Sequence, residues 1–147
     1  MLSELYNTDI LTLSAGLKNA RLPKLDGTAR RVSKLCGSWV EIDIAMDGDI
    51  ISDLALRVEA CALGQASAAI LQEAIIGASL FEVQDARDAL RAMLKEGGSP
   101  PKGRFAKLSL LSGVAGYPAR HTSTMLAFDA AAEAIEAALG EDMSRHA

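Results

Sequence analysis

The hydrophobic pattern changes period twice along the chain, and those changes mark out its elements. Residues 28 to 59 have a period of two. From Trp39 to Met46 the apolar Val40, Ile42 and Ile44 alternate with Glu41 and Asp43, the pattern of a strand with one wet face. Thr28 to Leu35 and Ile50 to about Glu59 read as its neighbours, the second with Leu54, Leu56 and Val58 on one face. Asp47-Gly48-Asp49 predicts the hairpin turn joining strands two and three. On both sides of this block the period is helical. Ser3 or Asn7 is placed to cap a helix running to about Lys18, with Leu5, Ile10, Leu11 and Leu17 on one side. The turn-rich stretch from Asn19 to Gly27, which holds Pro23 and an Asp-Gly pair, is a connector.

From Ala62 the spacing predicts a helix whose Ala66, Ala69, Ile70, Ala74 and Gly77 are small or apolar, so that another backbone can approach closely. Gly77-Ala78-Ser79 breaks it, and Ser79 with Glu82 three residues later forms a capping box for a helix through Leu80, Val83, Ala86, Leu90 and Leu94. The charged side of that helix, Asp85, Arg87, Asp88, Arg91 and Lys95, reads as a solvated face. A loop from Gly97 to Gly103, a short helix from Phe105 to about Leu111 and a long helix from about Arg120 to Leu139, stopped by Gly140, complete the chain. Consecutive strands followed by helices predict an α+β fold. The sheet is three-stranded and antiparallel, packed against about five helices, in a single domain over residues 1–147.

Composition narrows the function classes. Half of the 147 residues are hydrophobic, enough for one continuous core. Fifteen Lys and Arg against nineteen Asp and Glu leave a net charge of -4 and no basic run, which argues against nucleic acid or an anionic membrane surface as the main partner. The start, Met1 to Tyr6, lacks a signal-peptide pattern, and no apolar stretch approaches the roughly 20 residues of a membrane span, so a cytoplasmic protein is expected. In a reducing compartment two cysteines are more often a metal-binding or redox pair than a disulfide.

Cys61 stands where the third strand ends and the small-residue helix begins. A helix start carries unpaired N–H groups and partial positive charge, which favours the thiolate, the form that attacks sulfur donors and binds metals. The other cysteine, in Leu35-Cys36-Gly37-Ser38, precedes the second strand, so the sheet's connections are placed to bring the two sulfurs together. Taken singly, a cysteine reads first as a buried small apolar side chain. Gly37 beside the thiol lets the loop turn without a Cβ clash. Trp39 reads as a packing residue or partner contact, Glu41 and Asp43 as the wet face of a strand, and His146 as incidental. The chain has no Ser-His-Asp order with a supporting motif, no nucleotide-binding glycine loop and no His-Glu-x-x-His.

Three segments carry a family resemblance: Cys36-Gly37-Ser38 before a strand, Cys61 with Gln65-Ala66-Ser67-Ala68 after it, and Pro118-Ala119-Arg120-His121-Thr122-Ser123 opening the last helix. Together they resemble the NifU/IscU family, most closely its SufU branch, from Leu5-Tyr6 to the final helix. The resemblance implies a SufE/NifU-like fold with three cysteines and an aspartate gathered at one end. There they hold a nascent cluster or a zinc ion and accept sulfur from a cysteine desulfurase. Cys36 and Cys61 match the first two cysteines. Ser38 stands at the aspartate position and Ser123 at the third cysteine, while His121 lies two residues before it, one residue displaced from the histidine of the IscU branch. The family's Asn-Pro pairing after the first helix is also absent.

The resemblance therefore implies a metal set of Cys36, Cys61 and His121, surrounded by Gly37, Ser38 and Ser123, with a fourth position open to water, substrate or a partner's ligand. It implies a scaffold or sulfur acceptor rather than an enzyme, carrying a transient iron–sulfur cluster or zinc. Its partners would be a cysteine desulfurase and acceptor apo-proteins. Two other readings stand beside it. One is an adaptor that keeps the fold and partner surface without a stable metal site. The other is a thiol enzyme with Cys61 as nucleophile and His121 as base.

Overall fold

The computed structural model describes residues 7–34 and 37–140, so the expectations placed on Ser3, Leu5, Tyr6, Leu35, Cys36 and His146 lie outside the described residues. Among the described residues are four α-helices: α1 (Thr8–Gly16), α2 (Ala62–Ala74), α3 (Leu80–Glu96) and α4 (His121–Ala138). The strands are β1 (Gly27–Val32), β2 (Trp39–Asp47) and β3 (Ile50–Glu59), and 3-10 turns wind through Gly103–Gly116 and Pro118–Arg120. The α+β order expected from the hydrophobic pattern is the one observed.

The sheet is antiparallel in the order β1-β2-β3, with Gly27 opposite Ile44 and Trp39 opposite Glu59. Asp47 pairs with Ile50, so the turn shortens to Gly48-Asp49, with Gly48 left-handed at φ 62°. Ala45 faces Asp53 but Met46 faces Ile51, which leaves Ser52 as an extra residue on β3. This bulge reverses the in–out alternation, and Ile51 joins Leu56 in the core.

Behind the sheet, α4 lies across β1 and β2, and α2 and α3 pack beside it. Its buried Ala127, Ala130, Ala131 and Ala134 keep that approach close. At the start of β1 the approach is closer still: a Cβ on Gly27 would stand 2.6 Å from Ala138 N and collide with Ala134 O. Phe128 of α4 meets Phe105 edge to face, ring centroids 5.5 Å apart, at the centre of the core.

Local signals set the helix ends. Asn7 Oδ1 accepts from Ile10 N at 3.0 Å to start α1. Ser79 Oγ accepts from Glu82 N at 3.2 Å and Glu82 Oε1 from Ser79 N at 3.3 Å, the capping box expected for α3, which Gly97 closes in the left-handed region. Arg104 then fastens the α2–α3 connection by donating to the carbonyls of Ala74, Ile76 and Gly77.

Four expectations are corrected. Helix α1 stops at Gly16 and buries Ile10, while Leu11 is 52% exposed. The helix expected over 105–111 is instead 3-10 from Gly103 to Gly116, and its buried residues Phe105, Leu108, Leu111 and Val114 recur every third position, the repeat of a 3-10 helix. Helix α4 begins at His121, after a turn from Pro118 to Arg120. Asp43 is not on a wet face. The connector after α1 covers it, and it accepts from Arg57 Nη1 (2.9 Å), Arg57 Nη2 (3.0 Å), Thr28 Oγ1 (3.1 Å) and Leu22 N (3.2 Å). The Arg57 guanidinium holds the Asp43 carboxyl below the ordinary carboxylate range; Arg30 and then Arg57 do the same for Glu41. No helix among the described residues is long and apolar enough to cross a membrane.

Candidate functional site

Cys61 is the N-cap residue of α2, extended at φ −66° and ψ 170°, and its side chain makes no capping bond. The backbone capping is left to Gln65, whose N donates to Cys61 O at 3.0 Å and whose Nε2 donates to Ala60 O at 2.8 Å. The sulfur is thereby free to face sideways, half-buried, toward α4. There Ser123, itself buried, brings its Oγ to 3.5 Å from Cys61 Sγ.

Gly64 makes this contact possible. A Cβ at that position would stand 2.8 Å from Ala60 Cβ, 3.0 Å from Ser123 Oγ and 3.2 Å from Ser123 O. The absence of a side chain therefore lets the first turn of α2 rest against the first turns of α4. The small residues that follow Cys61 in the sequence serve the close approach that their spacing predicts.

The loop carrying the other cysteine reaches the same place by its flanks. Ser33 N donates to Ser38 O at 2.7 Å and Gly37 N to Ser33 O at 2.9 Å, which closes a tight turn, and Gly37 takes φ 73°, a conformation glycine adopts without strain. A cleft of about 260 Å³ opens there, lined by Gly37, Ser38, Glu59, Ala60, Cys61 and Arg120. Cys36 itself is outside the described residues.

His121 is placed differently. Its ring is buried, with Nε2 3.0 Å from Val114 O and 3.3 Å from Ala115 O. Carbonyl oxygens only accept, so Nε2 donates, and the lone pair of the neutral ring is left on Nδ1. The two carbonyls belong to the end of the long 3-10 segment, and His121 is not among the residues lining the cleft. Among the described residues, no three His, Cys, Asp or Glu side chains gather in a way that could hold a metal ion.

Two residues at the cleft were not singled out in the sequence. Arg120 precedes α4 and supplies a cation at the mouth; its signal was its place in the Pro118 to Ser123 segment. Glu59 ends β3, and its Oε2 accepts from Trp39 Nε1 at 3.2 Å, while Arg30 stacks on the indole 4.8 Å from its centre. Trp39 is thus held by its own sheet. Chemically, the corner offers a half-buried thiol with a hydroxyl neighbour, a guanidinium nearby and room for a small donor. Serine hydroxyls are poor ligands for zinc or iron at neutral pH, so Ser38 and Ser123 do not replace an aspartate and a thiolate.

Known proteins share this architecture. The N-terminal part of a NifU-like protein from Brucella abortus is 40% identical, with a TM-score of 0.92 over 96% of this chain and 99% of that one. A SUF-system protein from Fervidobacterium islandicum AW-1 matches at 23% identity and a TM-score of 0.81, covering 89% of this chain and 96% of its own, a likeness of fold. The iron-sulfur cluster assembly scaffold protein IscU of Streptococcus pyogenes serotype M1 is 31% identical over 101 residues, 69% of this chain. That match spans 64% of the Streptococcus protein, less than two thirds of its length. IscU of Thermotoga maritima is 26% identical over 101 residues, 69% of this chain and 70% of its own. The family model of the NifU-like N terminal domain matches residues 14–142, and the chain belongs to that family.

Proposed function

We propose that this chain is a sulfur acceptor or scaffold in iron–sulfur cluster assembly, with Cys61 as the residue that receives the cargo and Cys36 as its nearest thiol partner. The observation that carries the reading is the Cys61 sulfur at a helix start, beside Ser123 and open to a cleft lined by the two residues that follow Cys36. In the transfer step the Cys61 thiolate attacks the outer sulfur of a donor persulfide, R–S–SH. A new S–S bond forms at Cys61, the donor's S–S bond breaks, and R–S⁻ leaves, so Cys61–S–SH is produced with no net oxidation. The donor is a cysteine desulfurase, and acceptor apo-proteins take the sulfur or cluster onward. Arg120 at the mouth offers its charge to the leaving or incoming anion. As metal ligands we propose Cys36, Cys61 and, through Nδ1, His121, with iron, zinc or a nascent cluster as cargo.

The serines at positions 38 and 123 favour a second reading, an adaptor to a cysteine desulfurase that keeps no stable metal of its own. Metal content decides between them. Anaerobic titration with iron and sulfide, or zinc measured on the isolated protein, gives about one site under the first reading, lost in Cys36→Ala and in Cys61→Ala. No stoichiometric metal, with desulfurase binding retained, establishes the second. Ser123→Cys then serves as a gain test: restoring a thiolate beside Cys61 raises zinc affinity under either reading, provided the corner is the metal site.

A further inference from the structure

The two edges of the sheet are unlike. β3 is sealed: Ala20 N donates to Leu56 O at 2.9 Å, Val58 N to Asn19 Oδ1 at 2.8 Å, and Ile51 exchanges bonds with Ala78 O (2.9 Å) and Gly77 N (2.8 Å). β1, at the other edge, has no backbone partner except β2 among the described residues. An open edge is a template for another strand.

Cations line this edge. On the side of β1 that faces α4, Arg31 shares with Arg91, Arg87 and Lys95 of α3 the field around one carboxylate, Asp129 of α4. Burial raises the Asp129 pKa against the pull of those four charges, and Arg91 bonds it at 3.4 Å. Asp88, on the solvent side, pairs with Arg87 and Arg91, while Arg31 and Lys95 are exposed and enter no ion pair among the described residues. Arg31 on the strand and Lys95 beside it thus leave two cations without an ion pair among the described residues, in a chain whose net charge is -4.

We infer that the β1 edge is a docking strand for an extended, acidic segment of a partner protein, which adds a fourth strand while its carboxylates meet Arg31, Arg91 and Lys95. A second copy of this chain is a poor occupant, because full antiparallel pairing of β1 with itself brings Arg31 of one copy diagonally beside Arg30 of the other on the same face, at both ends of the pair. The edge runs toward the turn whose Gly37 and Ser38 line the Cys61 cleft, so a docked segment ends close to that corner. The inference does not depend on what Cys61 carries.

The test uses the full chain, isotope-labelled for amide exchange, and a synthetic ten-residue peptide of alternating Glu and Val, with a counterpart in which Lys replaces Glu. The Glu peptide slows exchange at the β1 amides that point away from β2. Its Kd rises at least about tenfold between about 0.05 M and about 0.5 M salt. The double variant Arg31→Glu/Lys95→Glu weakens it by a similar factor, while Lys107→Glu, far from the edge, leaves it unchanged. If the double variant unfolds, the salt series and the Lys peptide on the unaltered chain decide the matter. The inference is overturned by no protection of β1 at millimolar peptide, by equal binding of the Lys peptide, by protection mapped to another element, or by a dimer of the peptide-free chain that itself protects β1.

Discussion

The carboxylate of Asp43 accepts four hydrogen bonds, two of them from Arg57, which in turn donates to Glu41 and to the carbonyl of Ala20. The sulfur of Cys61 has, among the described residues, a single polar contact, Ser123 Oγ at 3.5 Å. Both groups are polar, partly or wholly buried, and attached to the same sheet. The difference lies in what remains unspent. Around Asp43 the polar groups hold one another, so the cluster fixes where the connector crosses the sheet and has nothing left to offer a ligand. Around Cys61 the polypeptide is held by backbone bonds and by Gly64, and the sulfur itself takes no part in holding it. A dense network of charges is thus structural here, whereas the thiol proposed to receive the cargo is sparsely contacted.

Substitutions on each side sharpen that contrast. The largest effect belongs to Asp43→Ala, which removes two of the bonds to Arg57 and leaves it Glu41 and the Ala20 carbonyl; unfolding in urea should show a loss of about 2–3 kcal/mol, with the alkylation rate of Cys61 unchanged. A loss below about 0.5 kcal/mol, the level of an exposed pair, would remove the distinction. Next comes Gly64→Ala. The gain in helix propensity is outweighed by the contacts with Ala60 and Ser123, for a net loss of about 1–2 kcal/mol, and here the alkylation rate of Cys61 does change.

Acid follows in size. The Asp43 and Glu41 carboxyls are held below their ordinary values, so the unfolded chain binds more protons and stability rises with pH through this window. Their contribution is complete above about pH 4, the unfolded carboxylate value, and is lost as pH falls toward the lowered native values. The urea midpoint of the native chain should therefore drop more steeply on acidification than that of Arg57→Gln. The smallest effect belongs to Ser123→Ala, whose buried hydroxyl makes one long contact to sulfur, with a loss of about 0.5–1 kcal/mol. Thermal melts giving a loss above about 2 kcal/mol would mean that the hydroxyl is structural after all.

Local chemistry was legible in the sequence wherever the partner residues are neighbours. Ser79 and Glu82 lie three apart and cap their own helix, and Asn7 does the same for α1. Cys61 could be placed at a helix start because the alternating pattern ends there. The three-residue spacing from Phe105 to Val114 was present in the chain, but a helical reading absorbed its first part. Asp43 was misread because alternation reports only which side of a strand a residue faces, and its cover comes from Leu22, twenty-one residues earlier. Ser52 was invisible for a related reason: a bulge is defined by the partner strand, Ala45 and Met46, and not by its own type. Ser123 was found by its position in a family pattern, whereas Arg120, a charged residue opening a helix, looked like any solvated side chain.

Gly27 has a reach that its position at the far end of the sheet conceals. It presses β1 onto α4 at Ala134 and Ala138, while Ser123 lies fifteen residues back along the same helix, about 22 Å away at 1.5 Å per residue. With Ala138 as pivot, a tilt of about one degree displaces Ser123 by about 0.4 Å, simple leverage on that helical rise. A substitution at Gly27 that tilted α4 would therefore be felt at the Ser123–Cys61 contact, although Gly27 touches neither residue.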